Sequence, residues 1–169
     1  LAQVFRKPHI AFGRPAGHLP PERFIVFAQN HDQVGNRAVG DRLPPETRRL
    51  AAFCFLLSPY LPLLFMGEEH GEDAPFQFFC DHIDEEIAIA TREGRRREFA
   101  GFAGFAADDV PDPQDPRTCE RSRLTRRETP GMRDHYRELL ALRPSLGPVT
   151  GVEHGEDWIV VARGDARLA

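Results

Sequence analysis

The segment from Arg23 to Glu69 constrains the fold more than any other part of the chain. Phe24 to Ala28 is a short unbroken apolar run with β-branched and aromatic members, the pattern of a strand covered on both faces. A loop containing Gly35 and Gly40 follows, and Pro44-Pro45-Glu46 then opens a helix, where proline in the first turn is tolerated. Leu50, Phe53, Cys54 and Leu57 recur at helical spacing, and Pro59 stops the helix. A second apolar run, Leu61 to Met66, reads as another buried strand ending at Gly67-Glu68-Glu69, with Pro62 suited only to its first residues. Strand, loop, helix, strand spells one βαβ unit, whose two strands must pair in parallel.

One such unit cannot bury both faces of its own sheet. A complete eight-stranded barrel takes about 250 residues and eight strands, whereas these 169 residues offer two. The expectation is an α/β fold: the C-terminal portion of a (β/α)8 barrel at 1–147, then the start of an all-β domain at 148–169. Most of residues 1–22 is expected to be loop, rich in proline and glycine. Beyond the βαβ unit the pattern predicts a helix over Asp84–Phe102, with an acidic start and basic Arg95-Arg96-Arg97 matching the helix dipole. Gly94 weakens that helix by about 1 kcal/mol relative to alanine. PDPQDP, Pro111 to Pro116, is a rigid loop. A further helix spans Met132–Arg143, with Met132, Tyr136, Leu139 and Leu140 on one face and Pro144 as its stop. From Val149 the texture turns to short β runs, notably Trp158 to Ala162.

Charge and composition exclude several functions. A net charge of -4 argues against a nucleic-acid partner. No apolar run approaches the roughly 20 residues of a membrane span. Cys54, Cys80 and Cys119 are odd in number and lack CxxC spacing, which points to free thiols in the cytoplasm. HExxH and phosphate-cradling glycine loops are absent. Asp108, Asp109, Asp112 and Asp115 hint at calcium but lack the glycine and terminal glutamate of an EF-hand, so no metal is expected. The arginines at 95–97 and 121–127 are interleaved with glutamates and read as a solvated face.

Asn30-His31-Asp32 lies just past the carboxyl end of the first strand, where parallel α/β folds gather their active sites. A carboxylate there stabilises a cationic transition state, orients a hydroxyl or binds a metal. The plainer alternative is that Asp32 caps a short helix at Gln33 and His31 is an ordinary loop residue. Glu68 and Glu69 occupy the matching position after the second strand. Phe76, Phe78 and Phe79 offer a surface for stacking on a sugar or for core packing, and Asp81-His82 could bind hydroxyls.

VFAQNHDQVGNR, residues 26–37, resembles the segment of the α-amylase family in which an Asn-His-Asp triplet ends the seventh barrel strand. The resemblance implies that His31 hydrogen-bonds sugar hydroxyls at the cleavage point and that Asp32 grips the same ring and favours its oxocarbenium-like form. It makes Asp32 a catalytic transition-state stabiliser; the substrate-binding residues expected around it are Asn30, His31, Gln33, Glu69, Phe79, Asp81 and His82. RPAGHLPPERF, LLFMGEEHGEDAPFQFFCDH, EGRRREF and PDPQDPRTCERSRL resemble the malto-oligosyltrehalose trehalohydrolase family within it. Ala28, His70 and Cys80 depart from that pattern.

This second resemblance implies cofactor-free, retaining hydrolysis of the α-1,4 bond beside a terminal trehalose, with an α-glucan as substrate. A branching enzyme is the runner-up, which residues 70–128 disfavour. A noncatalytic carbohydrate-binding module is the competing class. Retaining chemistry needs two further carboxylates about 5–5.5 Å apart, which the family carries upstream of this stretch. Adjacent Glu68 and Glu69 point to opposite faces of an extended segment and cannot both flank one bond. The chain alone is therefore expected to be inactive and to need the N-terminal part of its polypeptide.

Overall fold

The computed structural model describes residues 17–100 and 110–169. The loop expected at 1–16, the end of the second helix at 101–102, and Asp108 and Asp109 lie outside the described residues. β1 (Ile25–Val26) and β2 (Leu61–Pro62) form a parallel pair in the register Ile25 to Leu61 and Val26 to Pro62. Leu61 N–H donates to Phe24 O at 2.9 Å and Leu63 N–H to Val26 O at 2.8 Å. The ladder thus uses the amides on either side of Pro62, and its missing N–H falls on the side away from β1. Both strands are shorter than the apolar runs that announced them.

Between the strands lie α1 (His31–Gly35) and α2 (Pro45–Leu56). The buried face of α2 is Ala52, Phe55 and Leu56, with Leu57 just beyond. Of the positions expected at helical spacing, Leu57 is buried and Phe53 half-buried against the core, whereas Leu50 is 65% exposed and Cys54 is exposed. What packs on α2 decides this. α5 (Met132–Leu142) brings Met132, Tyr136 and Leu139 onto it, and these seven side chains form the main core. Leu140, expected on that face, is exposed.

α3 (Glu85–Phe99) runs unbroken through Gly94, and its N-cap Asp84 accepts from Glu86 N–H at 2.9 Å and Ile87 N–H at 3.2 Å. The PDPQDP loop passes into a helix the sequence reading missed, α4 (Pro116–Arg121). Its signal was present, because Asp115 caps it by accepting from Arg117 N–H at 2.9 Å and Pro116 fills the first turn. Asp115 also pairs with Arg117 and Asp112 with Arg92, so the two described aspartates of that stretch serve local structure.

The chain ends in an antiparallel meander of β3 (Val149–His154), β4 (Ile159–Arg163) and β5 (Ala166–Leu168). Arg163 of β4 docks it on the C-terminal end of α2, where helix carbonyls lack partners. Arg163 Nη1 donates to Leu57 O at 2.7 Å and Ser58 O at 3.1 Å, while Nε donates to Gly147 O at 2.9 Å. Arg143 donates to Leu56 O and to Ser58 O. No helix among the described residues is long and apolar enough to cross a membrane.

Candidate active-site cleft

Past β1 the chain bends at Ala28 and reaches Asn30, whose extended backbone leads into α1. The Asn30 side-chain oxygen accepts from Gln33 N–H at 2.7 Å. The cap is therefore Asn30 and not Asp32, whose side chain takes no part in capping the first turn. The consequence is orientation: His31 and Asp32 project outward with side chains 71% and 72% exposed, and His31 Nε2 lies 3.3 Å from Asp32 Oδ1. They face a cleft of about 170 Å³ whose lining continues through Gly35, Asn36, Phe76, Gln77, Phe78 and Phe79.

Two segments make the cleft, and backbone contacts join them. Phe76 N–H donates to Gly40 O at 2.8 Å, and Gln77 Nε2 donates to Val39 O at 3.3 Å. Gly40 has φ +67° and passes so near Phe76 that a Cβ there would lie 2.4 Å from Phe76 O. From the other side, Ser122 Oγ accepts from Gln77 N–H at 2.9 Å. Phe76 packs edge-on against Phe65 at 5.4 Å and against Phe79 at 6.0 Å between ring centroids. The aromatic wall is thus fixed by hydrogen bonds behind it, leaving Phe78 and Phe79 rims exposed to the cleft.

Behind both walls lies a buried polar network. Gln29, next to Asn30, donates from Nε2 to Glu68 Oε1 at 2.9 Å and accepts from Leu43 N–H at 2.7 Å. Glu68 Oε2 accepts from Phe65 N–H at 2.9 Å. Burial pushes the Glu68 carboxyl above its usual range, against the opposing pull of these donors and of Arg42. Arg42 donates to Ala74 O and Met66 O and lies 5.0 Å over the Phe65 ring.

Glu72, only 2% exposed, accepts from Asp73 N–H, Ala74 N–H and Thr125 Oγ1 through one oxygen. Its other oxygen takes Arg126 N–H at 3.0 Å and faces His70 Nε2 at 3.4 Å. Burial alone would raise this carboxyl, but the hydrogen bonds from Ala74, Thr125, Arg126 and His70 outweigh it and hold it down to about 2.

The expected site residues therefore divide. Asp32, His31 and Phe79 meet at the cleft. Asn30 spends its side-chain oxygen on the cap, and Gln33 offers its backbone to that cap and stands outside the lining. Glu69 is occupied by His70 Nδ1 at 3.1 Å. Asp81 and His82 are exposed but outside the lining, with the His82 backbone held by Gln114. Among the described residues Asp32 is the one carboxylate that lines the cleft.

Sequence reasoning missed Arg95. Expected on a solvated face, it is 8% exposed and donates from Nη2 to Gly35 O at 3.1 Å and Arg37 O at 3.2 Å. In a run of three arginines no local signal singles it out; its partners lie some sixty residues earlier in the chain.

No protein-family model matches the chain. A solved structure assigned as an alpha amylase from Salmonella typhimurium superposes with a TM-score of 0.70 and 44% identity, covering 84% of this chain and 27% of that one. Over most of its length the chain thus shares the fold of the matching part of an alpha-amylase-type protein. More particularly, it is a relative of the malto-oligosyltrehalose trehalohydrolases. Those of Saccharolobus solfataricus, a Rhizobium species and Arthrobacter ramosus are 38%, 42% and 45% identical over 97%, 92% and 84% of this chain. The matched stretch is 28%, 29% and 26% of each relative's own length, so the chain spans little more than a quarter of them.

Proposed function

We propose that this chain forms one wall of the active site of a retaining glycoside hydrolase that cleaves the α-1,4 bond next to the terminal trehalose of malto-oligosyltrehalose. The observation that carries this is the cleft, in which Asp32 and His31 face the aromatic segment Phe76–Phe79. Similarity to trehalohydrolases along nearly the whole chain supports the substrate.

Asp32 acts as the third carboxylate. Negative charge beside the ring favours the oxocarbenium-like transition state, and bonds to ring hydroxyls strengthen as the ring flattens. His31 hydrogen-bonds the same sugar, and Phe79 packs against its apolar face. The nucleophile and the acid/base come from a part of the polypeptide outside this chain, in keeping with the single carboxylate of the described lining. The protein works without a cofactor and in the cytoplasm, a placement supported by three free cysteines. β1 and β2 are the last two strands of a (β/α)8 barrel at 1–147, and the meander opens a β-sandwich domain at 148–169.

The test is product analysis of the longer polypeptide on malto-oligosyltrehalose. Free trehalose is expected, with kcat down about 10³-fold or more in Asp32→Asn. Maltose-type products or branched glucan alone would keep the glycosidase wall and remove the trehalose assignment.

A further inference from the structure

We propose that Arg95 is a positioning residue that sets the width of the sugar cleft. The idea rests on the function proposed above and deepens it. The two walls come from segments some forty residues apart, and Arg95 on α3 touches both. Its Nη2 donates to Gly35 O and Arg37 O on the wall that follows Asp32. Its guanidinium carbon lies 5.0 Å over the Phe78 ring, on the opposite wall, and 4.8 Å over Phe99 of its own helix. Gly35 and Phe78 both line the cleft.

A planar guanidinium does these jobs together, with in-plane N–H groups for the two carbonyls and a flat face for the ring. Nη1 reaches Glu98 Oε2 at 3.3 Å, which fixes the remaining edge of the fork. The carbonyls of Gly35 and Arg37 turn inward onto this charge. Without it, the turn after α1 loses its tie to α3, and the Phe78 ring loses the surface it stacks on.

Such a residue touches no sugar, so its removal carries a particular kinetic signature. The walls contact substrate in the ground state and the transition state alike, so loosening them weakens binding uniformly and raises KM. Loss of Asp32, in contrast, lowers kcat. A merely structural role would reduce the folded, active fraction, lowering apparent kcat at unchanged KM.

The experiment compares Arg95→Met, Arg95→Lys and Arg97→Met in the longer polypeptide, with malto-oligosyltrehalose as substrate and thermal unfolding alongside. Arg97 is exposed on the same helix and serves as the control. Arg95→Met is expected to raise KM about tenfold with kcat within about threefold of the parent. Arg95→Lys, which keeps the charge and one carbonyl bond, is expected to recover part of that loss. A KM for Arg95→Met equal to that of Arg97→Met overturns the proposal, as does a fall confined to kcat. If Arg95→Met does not fold, Arg95→Lys decides: parental KM overturns the proposal and a raised KM supports it. The function reading fails separately, if the parent releases no trehalose or Asp32→Asn keeps full kcat.

Discussion

Glu72 collects donors from two stretches of chain, the turn at 73–74 and the segment at 125–126. Arg126 sits there at φ 59°, a left-handed conformation that costs a non-glycine residue about 1–2 kcal/mol, and its N–H bond to Glu72 offsets that strain. Replacing Glu72 by Gln is expected to destabilise the protein by about 3 kcal/mol at neutral pH, measured by denaturant unfolding. The pH dependence has a definite sign. The carboxyl is depressed from 4.5 to about 2, so its contribution is complete above pH 4.5 and is lost as pH falls toward 2. The stability gap between parent and Glu72→Gln should therefore narrow on acidification. A gap constant from pH 7 to pH 3 would remove the carboxylate account. Glu68 shows a different constraint, since both of its oxygens accept from N–H donors. Glu68→Gln sets an amide donor against one of them, and about 1–3 kcal/mol of destabilisation is expected in the same measurement.

The loop from Asn36 to Leu43 owes its shape to Gly40, whose left-handed φ and approach to Phe76 leave no room for a side chain. Gly40→Ala is expected to cost more than the about 1–2 kcal/mol of backbone strain alone, because the added methyl group meets the carbonyl oxygen of Phe76, a residue whose own N–H is tied to Gly40 O. Thermal unfolding checks this, and an unchanged Tm would mean that the two cleft segments move apart freely. α2 and α5 form the rigid support below. Leu56 and Met132 are almost fully buried between them, and Leu56→Ala is expected to cost about 2–5 kcal/mol.

Among the described residues β1 and β2 pair only with each other, and Ile25, Leu61, Leu63 and Leu64 remain exposed. A short parallel pair with open edges and apolar faces is a poor end state for a soluble molecule. The isolated chain is expected to self-associate in sedimentation experiments and to release no trehalose. A monomeric chain with a cooperative melt would favour a self-sufficient carbohydrate-binding module, and measurable turnover would place the whole catalytic set within it. The meander depends on Arg163, whose guanidinium spans Gly147, Leu57 and Ser58. Arg163→Met should expose residues 147–169 to limited proteolysis before the α2–α5 core opens.

Sequence alone determined the parallel βαβ unit, because apolar runs, proline stops and loop lengths act within a few residues of one another. It also located His31 and Asp32 just past a strand, and the caps at Asp84 and Asp115 follow from adjacent residues. Tertiary structure decided the rest. Helical periodicity left the phase of α2 open, and packing by α5 buried Ala52 and Phe55 while leaving Leu50 and Cys54 outside. Asn30 had two uses for one oxygen, and the turn into α1 took it. Arg95 and Glu72 are charged side chains that local pattern assigns to solvent. Their burial is set by partners up to sixty residues away, and only the folded chain brings those partners within hydrogen-bonding distance.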